Sequence, residues 1–329
     1  MKEIGITTTV PMEIVYAAGR VPVDLNNIFI SHPQRRQAIE AAEMDGYPRT
    51  VCGWIKGLYG MISHVGVAKT VIAVTEGDCS QTHALMETLE EKGIEIIPFS
   101  FPFDSDPRLL KWQLDRLAER LGAQWTEIYR QKEQLDEVRR LVWEIDRLTW
   151  QENKVSGFEN HLWQICCSDF CGDPQKFARD AQSFLDEVSH RDSFKQGEAP
   201  RLGIIGVPTI IDGLYEYLQE MGVQVVFNEV QRQFSMPQQE ADLVDQYRVY
   251  TYPYHVRFRI ADIQTEIKKR RLDAIIHYTQ SFCFRQIEDI LFRQHLDVPL
   301  LTLEGDQPGE LDARSRLRLE TFIGMLKGC

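Results

Sequence analysis

The residues of this chain with the most chemistry to offer are its seven cysteines, six of which fall into two patterns. Cys52 in YPRTVCGWIKG, Cys79 in VIAVTEGDCSQTHALMETL and Cys283 in DAIIHYTQSFCFRQIEDIL each follow a strand-like run and open a helix-like one. Cys166, Cys167 and Cys171 crowd into ICCSDFCGDP. Backbone N–H groups and the positive end of the dipole at a helix entrance lower a thiol's pKa, so the first three positions favour thiolates. Any one cysteine is explained as a small buried hydrophobe, but filler has no reason to choose helix entrances repeatedly. Soft thiolates brought together select iron–sulfur clusters or zinc. A zinc knuckle or a thioredoxin-like pair shows C-x2-C spacing, which is missing here. A 4Fe–4S cube on three cysteines leaves one iron open, and two cubes joined by a shared sulfide need six, the number present apart from Cys329.

The surrounding elements are those that would gather these thiols. Short apolar, β-branched runs at 21–25, 70–74 and 95–99 alternate with helical spacing at 9–19, 31–45 and 51–65. A long polar helical stretch follows from 107 to 152 with a break near Gly122, and a further helix covers 173–188. Alternation then restarts, with strands at 201–207, 223–228, 274–278 and 299–303 and helices at 212–221, 260–270, 284–294 and 313–326. Strand–helix alternation predicts a parallel sheet in each half, and open α/β sheets gather functional loops at the carboxyl edges of their strands. The expected division is an N-terminal α/β cluster-binding domain over 1–104, a helical connecting region over 105–199 carrying the Cys166, Cys167 and Cys171 group, and a C-terminal α/β domain over 200–329, with a polar boundary at 189–200.

Composition narrows the function classes. With 43% hydrophobic and 26% charged residues the chain reads as globular, and no apolar run approaches the roughly 20 residues of a membrane span. The N-terminus has no secretory pattern, so a cytoplasmic protein with free thiols is expected. A net charge of −12 disfavours nucleic acid and anionic membrane. The dense basic run Lys268-Lys269-Arg270-Arg271 ends a helix, where it complements the dipole without a ligand.

Five segments in this order, TVPMEIVYAAGRVPVDL, YPRTVCGWIKG, EGDCSQTHAL, PRLGIIGVPTIIDGLYEYLQEMGVQVVFNE and QSFCFRQIEDI, resemble the 2-hydroxyacyl-CoA dehydratase and benzoyl-CoA reductase superfamily over nearly the whole chain. The resemblance implies two Rossmann-like or flavodoxin-like domains with helical additions and an oxygen-sensitive cluster between them, held by Cys52, Cys79 and Cys283. The added Cys166, Cys167 and Cys171 make the chain look most like the double-cubane cluster proteins of that superfamily. Those reduce small molecules with electrons from an ATP-hydrolysing iron–sulfur activator. An 8Fe–9S double cubane is therefore the favoured cofactor, a single 4Fe–4S cluster on a dehydratase component the alternative, and a non-catalytic electron-storage or redox-sensing protein a third reading. The superfamily also implies a homodimer.

Further polar candidates surround the thiols. His277 ends the strand leading to Cys283, Gln280 and Ser281 follow in its turn, His83 lies one helical turn after Cys79, and Glu229 follows the 223–228 strand. His277, Gln280 and Glu229 are the candidates for proton transfer or hydrogen bonding in a pocket. Neither GxxxxGK[ST] nor GxGxxG occurs, so ATP hydrolysis would fall to a partner.

Overall fold

In the computed structural model, which describes residues 2–194 and 199–328, apolar runs become strands where both faces are covered. The run TVIAVTE forms a strand whose first five residues are buried, as expected for a parallel strand between helical layers. The first sheet comprises β1 (Lys2–Ile6), β2 (Arg20–Asp24), β3 (Thr70–Glu76) and β4 (Glu95–Ser100). The second draws on β5 (Arg201–Gly206), β7 (Gln224–Asn228), β8 (Ala274–Thr279) and β9 (Leu300–Glu304), while β6 (Ile211–Asp212) and β10 (Gly309–Glu310) pair separately. The orders are β2-β1-β3-β4 and β7-β5-β8-β9, and every pairing is parallel. Each sheet thus starts in its centre, steps to one edge and returns past the start. The chain is an α/β protein with two parallel-sheet, Rossmann- or flavodoxin-like domains and connecting helices.

The connecting helices belong to the first core. Asp106 caps the helix Pro107–Leu121 through the Arg108 and Leu109 N–H groups, proline takes its first turn, and Gly122 ends it in the left-handed region. Its Leu110, Leu114 and Leu117 pack with Ile4, Ile72 and Phe99. The helix Trp125–Trp150 follows. Its buried Arg139 meets Glu13 at 2.8 Å, and its Asp146 meets Arg270 at 2.5 Å. Arg270 is thus a structural cation, as its place in the basic run implies. No helix among the described residues is long and apolar enough to cross a membrane.

Two local expectations are corrected and two elements are added. β1 was not expected, because its KEIGI run offers only three buried residues after two exposed ones. The segment before Cys52 is a turn rather than a strand: Gly46, at φ 111°, ends the helix Arg35–Met44 and Pro48 follows. The expected helix over 284–294 is two short ones, Phe284–Ile287 and Asp289–His295. Glu229–Phe234 is a helix with all six residues buried, and after it Tyr247, Tyr250, Tyr252 and Tyr254 join the core of the first sheet. The expected boundary at 189–200 includes 195–198, which lie outside the described residues.

Candidate functional site

Each sheet has one place where its strand order reverses, between β1 and β3 in the first and between β5 and β8 in the second. Crevices at such points are where open α/β sheets bind ligands. Here the two crevices face each other. Thr7 and Thr8 after β1, Asp78 and Cys79 after β3, Val207 and Pro208 after β5, and Gln280 and Cys283 after β8 all line one cleft. Cys79 and Cys283 therefore occupy corresponding positions in the two domains. Cys52 and Trp54, at the start of the helix Gly53–Gly60, close a further side. About 780 Å³ between these walls is free of protein atoms, part of it open to solvent.

The domains meet tightly around this cleft. A Cβ at Gly53 would come 2.5 Å from Asp306 O and 3.0 Å from Ile210 Cδ1, so only glycine lets the Cys52 turn approach the second domain. Asp306 accepts the Ser281 N–H at 2.6 Å and also its hydroxyl, which fixes the turn carrying Cys283. Gly77, at φ 96°, makes the corresponding turn before Cys79, where a Cβ would sit 2.8 Å from both Phe101 Cβ and Pro253 Cβ. Arg35 pairs with Asp212, and Arg36 Nε donates to Pro308 O at 2.9 Å.

The thiols do not have the low pKa expected from helix entrances. Burial pushes Cys52 up to about 11, against the pull of the Ile55 and Trp54 N–H groups, and the nearby Cys283 adds to the rise. Burial likewise raises Cys79 and Cys283. Desolvation wins because the cleft is apolar and the helix behind Cys283 has only four residues, too few for a strong dipole. Beside them burial raises Asp78 to about 6, and its Oδ1 accepts the Tyr252 hydroxyl at 2.7 Å.

The second thiol group does not line this cleft. Cys167 is buried and donates to Trp163 O at 3.6 Å. Cys171 is exposed, at φ 52°. The neighbouring Cys166 and Cys171 thiols influence each other, which lowers Cys171 and raises Cys166. The loop nevertheless abuts the cleft wall. Ile165 lines the cleft, Asp24 N donates to Asp169 Oδ2 at 2.7 Å, and Asn27 Nδ2 reaches Ser168 Oγ at 3.2 Å. Burial raises Asp169 to about 7, and the charge of Asp24 adds to that.

Of the polar candidates, Gln280 alone reaches the cleft. It is 1% exposed, and neither amide atom has a hydrogen-bond partner. His277 is turned instead onto the helix Asp289–His295, where Nδ1 meets Asp289 Oδ1 at 2.8 Å. Glu229 is taken by Arg259 through bonds of 2.6 and 2.8 Å and accepts the Gly206 N–H at 3.0 Å. Burial alone would raise that carboxyl, but Arg259 outweighs it and holds it low. His83 is exposed. Sequence reasoning missed Arg285, Asp78 and Asp306. Arg285 and Asp78 are immediate neighbours of the thiol turns, and that adjacency was the available signal.

Among the described residues no three His, Cys, Asp or Glu side chains stand close enough to hold a single metal ion. The donor set at the cleft is three thiols from two domains, which fits a cluster that spreads its thiolates over several irons. No curated protein matches the chain. A family model described as 2-hydroxyglutaryl-CoA dehydratase, D-component, matches residues 7–326, and the chain belongs to that family.

Proposed function

We propose that the chain is an iron–sulfur enzyme that holds its cluster on Cys52, Cys79 and Cys283 and reduces a small molecule in the cleft. Low-potential electrons come from a separate ATP-hydrolysing activator, and Cys166, Cys167 and Cys171 supply the second cube of a double-cubane cluster in a cytoplasmic homodimer. The observation that carries the reading is that three thiols from two domains line one cleft, Cys79 and Cys283 at its two facing switch points and Cys52 on a further side. The bound cluster would supply one-electron chemistry at a potential set by charge, hydrogen bonding and exposure. The chain's own residues have separable tasks. Asp306 holds the Cys283 turn, Gly53 admits the Cys52 turn, Ile55, Leu58 and Phe234 keep the walls apolar, and Gln280 offers a donor and an acceptor. Supporting the second cube is the contact of the Ser168–Asp169 loop with Asn27 and Asp24 of the cleft wall.

A second reading, a dehydratase component with one 4Fe–4S cluster acting on a 2-hydroxyacyl-CoA, is favoured by one observation: Cys166, Cys167 and Cys171 lie outside the cleft lining. Anaerobic purification with iron and sulfide analysis separates the two. About eight irons per chain supports the double cubane, about four the single cube, and none overturns both.

A further inference from the structure

Arg285 lines the cleft two residues beyond Cys283 and is 3% exposed. A guanidinium carries five N–H donors and keeps its charge at any relevant pH. Among the described residues this one makes a single hydrogen bond, from Nη2 to Tyr252 O at 3.2 Å. Its nearest carboxylate, Glu288, stands 3.8 Å from Nη1, beyond hydrogen-bond reach, and is already taken by Arg259. The Tyr252 ring lies 4.3 Å from the guanidinium and fixes its place. No Arg285 nitrogen is among the buried polar atoms without a partner. Its spare donors therefore face open space, and the space beside it is the cleft. Gln280 adds a buried amide with both atoms unpartnered, an arrangement that is costly unless a ligand completes it.

Arg285 is the single Lys or Arg lining the cleft among the described residues. A thioester carbonyl is neutral and needs no buried cation, whereas a planar oxyanion matches the fork of a guanidinium. We propose that Arg285 and Gln280 form a subsite for a small planar oxyanion of the carboxylate or bicarbonate type. Two oxygens accept from the guanidinium, Gln280 Nε2 donates to an oxygen, and Gln280 Oε1 accepts from a hydroxyl where the ligand has one. This assignment rests on reading the cleft as the reactive site.

The test is anaerobic calorimetry on the iron-loaded protein with sodium formate and sodium bicarbonate as probes and chloride as the ionic control. Formate and bicarbonate bind saturably and chloride does not. Arg285→Gln weakens both by about tenfold or more, as expected for loss of charged hydrogen bonds. Arg285→Lys keeps the charge without the fork and falls between. Gln280→Leu weakens bicarbonate more than formate, and iron content is unchanged in all three variants. The subsite is overturned if neither anion binds, if Arg285→Gln binds as the wild type does, or if acetyl-CoA displaces formate competitively. Loss of iron in Arg285→Gln also overturns it, because Arg285 then serves the thiolates. Should Arg285→Gln fail to fold, wild-type affinity in Arg285→Lys together with Gln280→Leu refutes the subsite. Anion binding by a protein without iron sinks the proposed function and leaves the subsite, and iron without anion binding does the reverse.

Discussion

Replacing Gly53 by alanine tests whether the two domains must close to bring Cys52 and Cys283 together. Gly53 opens the helix Gly53–Gly60 without a positive φ, so helix propensity alone would make alanine stabilising by up to about 1 kcal/mol. The new Cβ, however, would lie 2.5 Å from Asp306 O, where ordinary contact begins at 3.4 Å. Asp306 or the Cys52 turn must then yield by about 0.9 Å, the difference between those two distances. Asp306 is bonded to Ser281, so the strain passes to the Cys283 turn. Overpacking of this kind costs roughly 1–3 kcal/mol, which exceeds the propensity gain. Gly324→Ala is the control: it sits inside the helix Ala313–Leu326 with no atom within 4 Å of the added Cβ, and it should stabilise by up to about 1 kcal/mol. Urea unfolding gives both values, and iron analysis of the anaerobic protein reports the site. Gly53→Ala should lose stability and iron together while Gly324→Ala keeps its iron. A Gly53→Ala protein as stable and as iron-rich as the wild type would refute the reasoning.

Other perturbations address single contacts. Asp306→Ala removes both bonds that hold Ser281; a cost of about 1.5–3 kcal/mol is expected for hydrogen bonds to a charged group, with faster iron loss to a chelator than in the wild type. Glu229→Gln leaves buried Arg259 with Glu288 as its remaining carboxylate partner and should cost about 1–3 kcal/mol in urea unfolding, less than the roughly 3–5 kcal/mol of a buried charge left wholly unpaired. Asp169 has its pKa raised by burial and by Asp24, from 3.8 to about 7. The folded state therefore binds more protons than the unfolded one between those values, and this pair's contribution to stability falls as pH rises through that window. Asp24→Asn keeps a good helix cap and removes the neighbouring charge, so its melting temperature should fall less steeply from pH 4 to 7 than that of the wild type; an unchanged slope would count against the pair.

The sequence made the second sheet readable because each of its strands is a continuous apolar run between turn signals, with β8 buried throughout. β1 escaped notice because its central place depends on pairing with both β2 and β3, which KEIGI does not announce locally. The thiol positions were legible as turn-to-helix junctions, but their protonation was not. Exposure to a helix terminus can be read from spacing, whereas desolvation depends on which walls meet across the domains. His277 and Glu229 looked like site residues because both lie at the carboxyl end of a strand. Strand alternation and a local salt bridge place both side chains in the second domain's interior, on Asp289 and Arg259. Gln280 differs from them by one turn of chain past β8, enough to enter the cleft.

The most direct test of the account is the iron content of anaerobically purified wild type beside Cys52→Ser, Cys79→Ser and Cys283→Ser. The wild type should carry a cluster, about eight irons per chain if double and about four if single, and each serine variant should lose most of it while still folding. Wild-type protein without iron, or serine variants that keep their full iron content, would contradict the claim that these three thiols are the cluster's ligands.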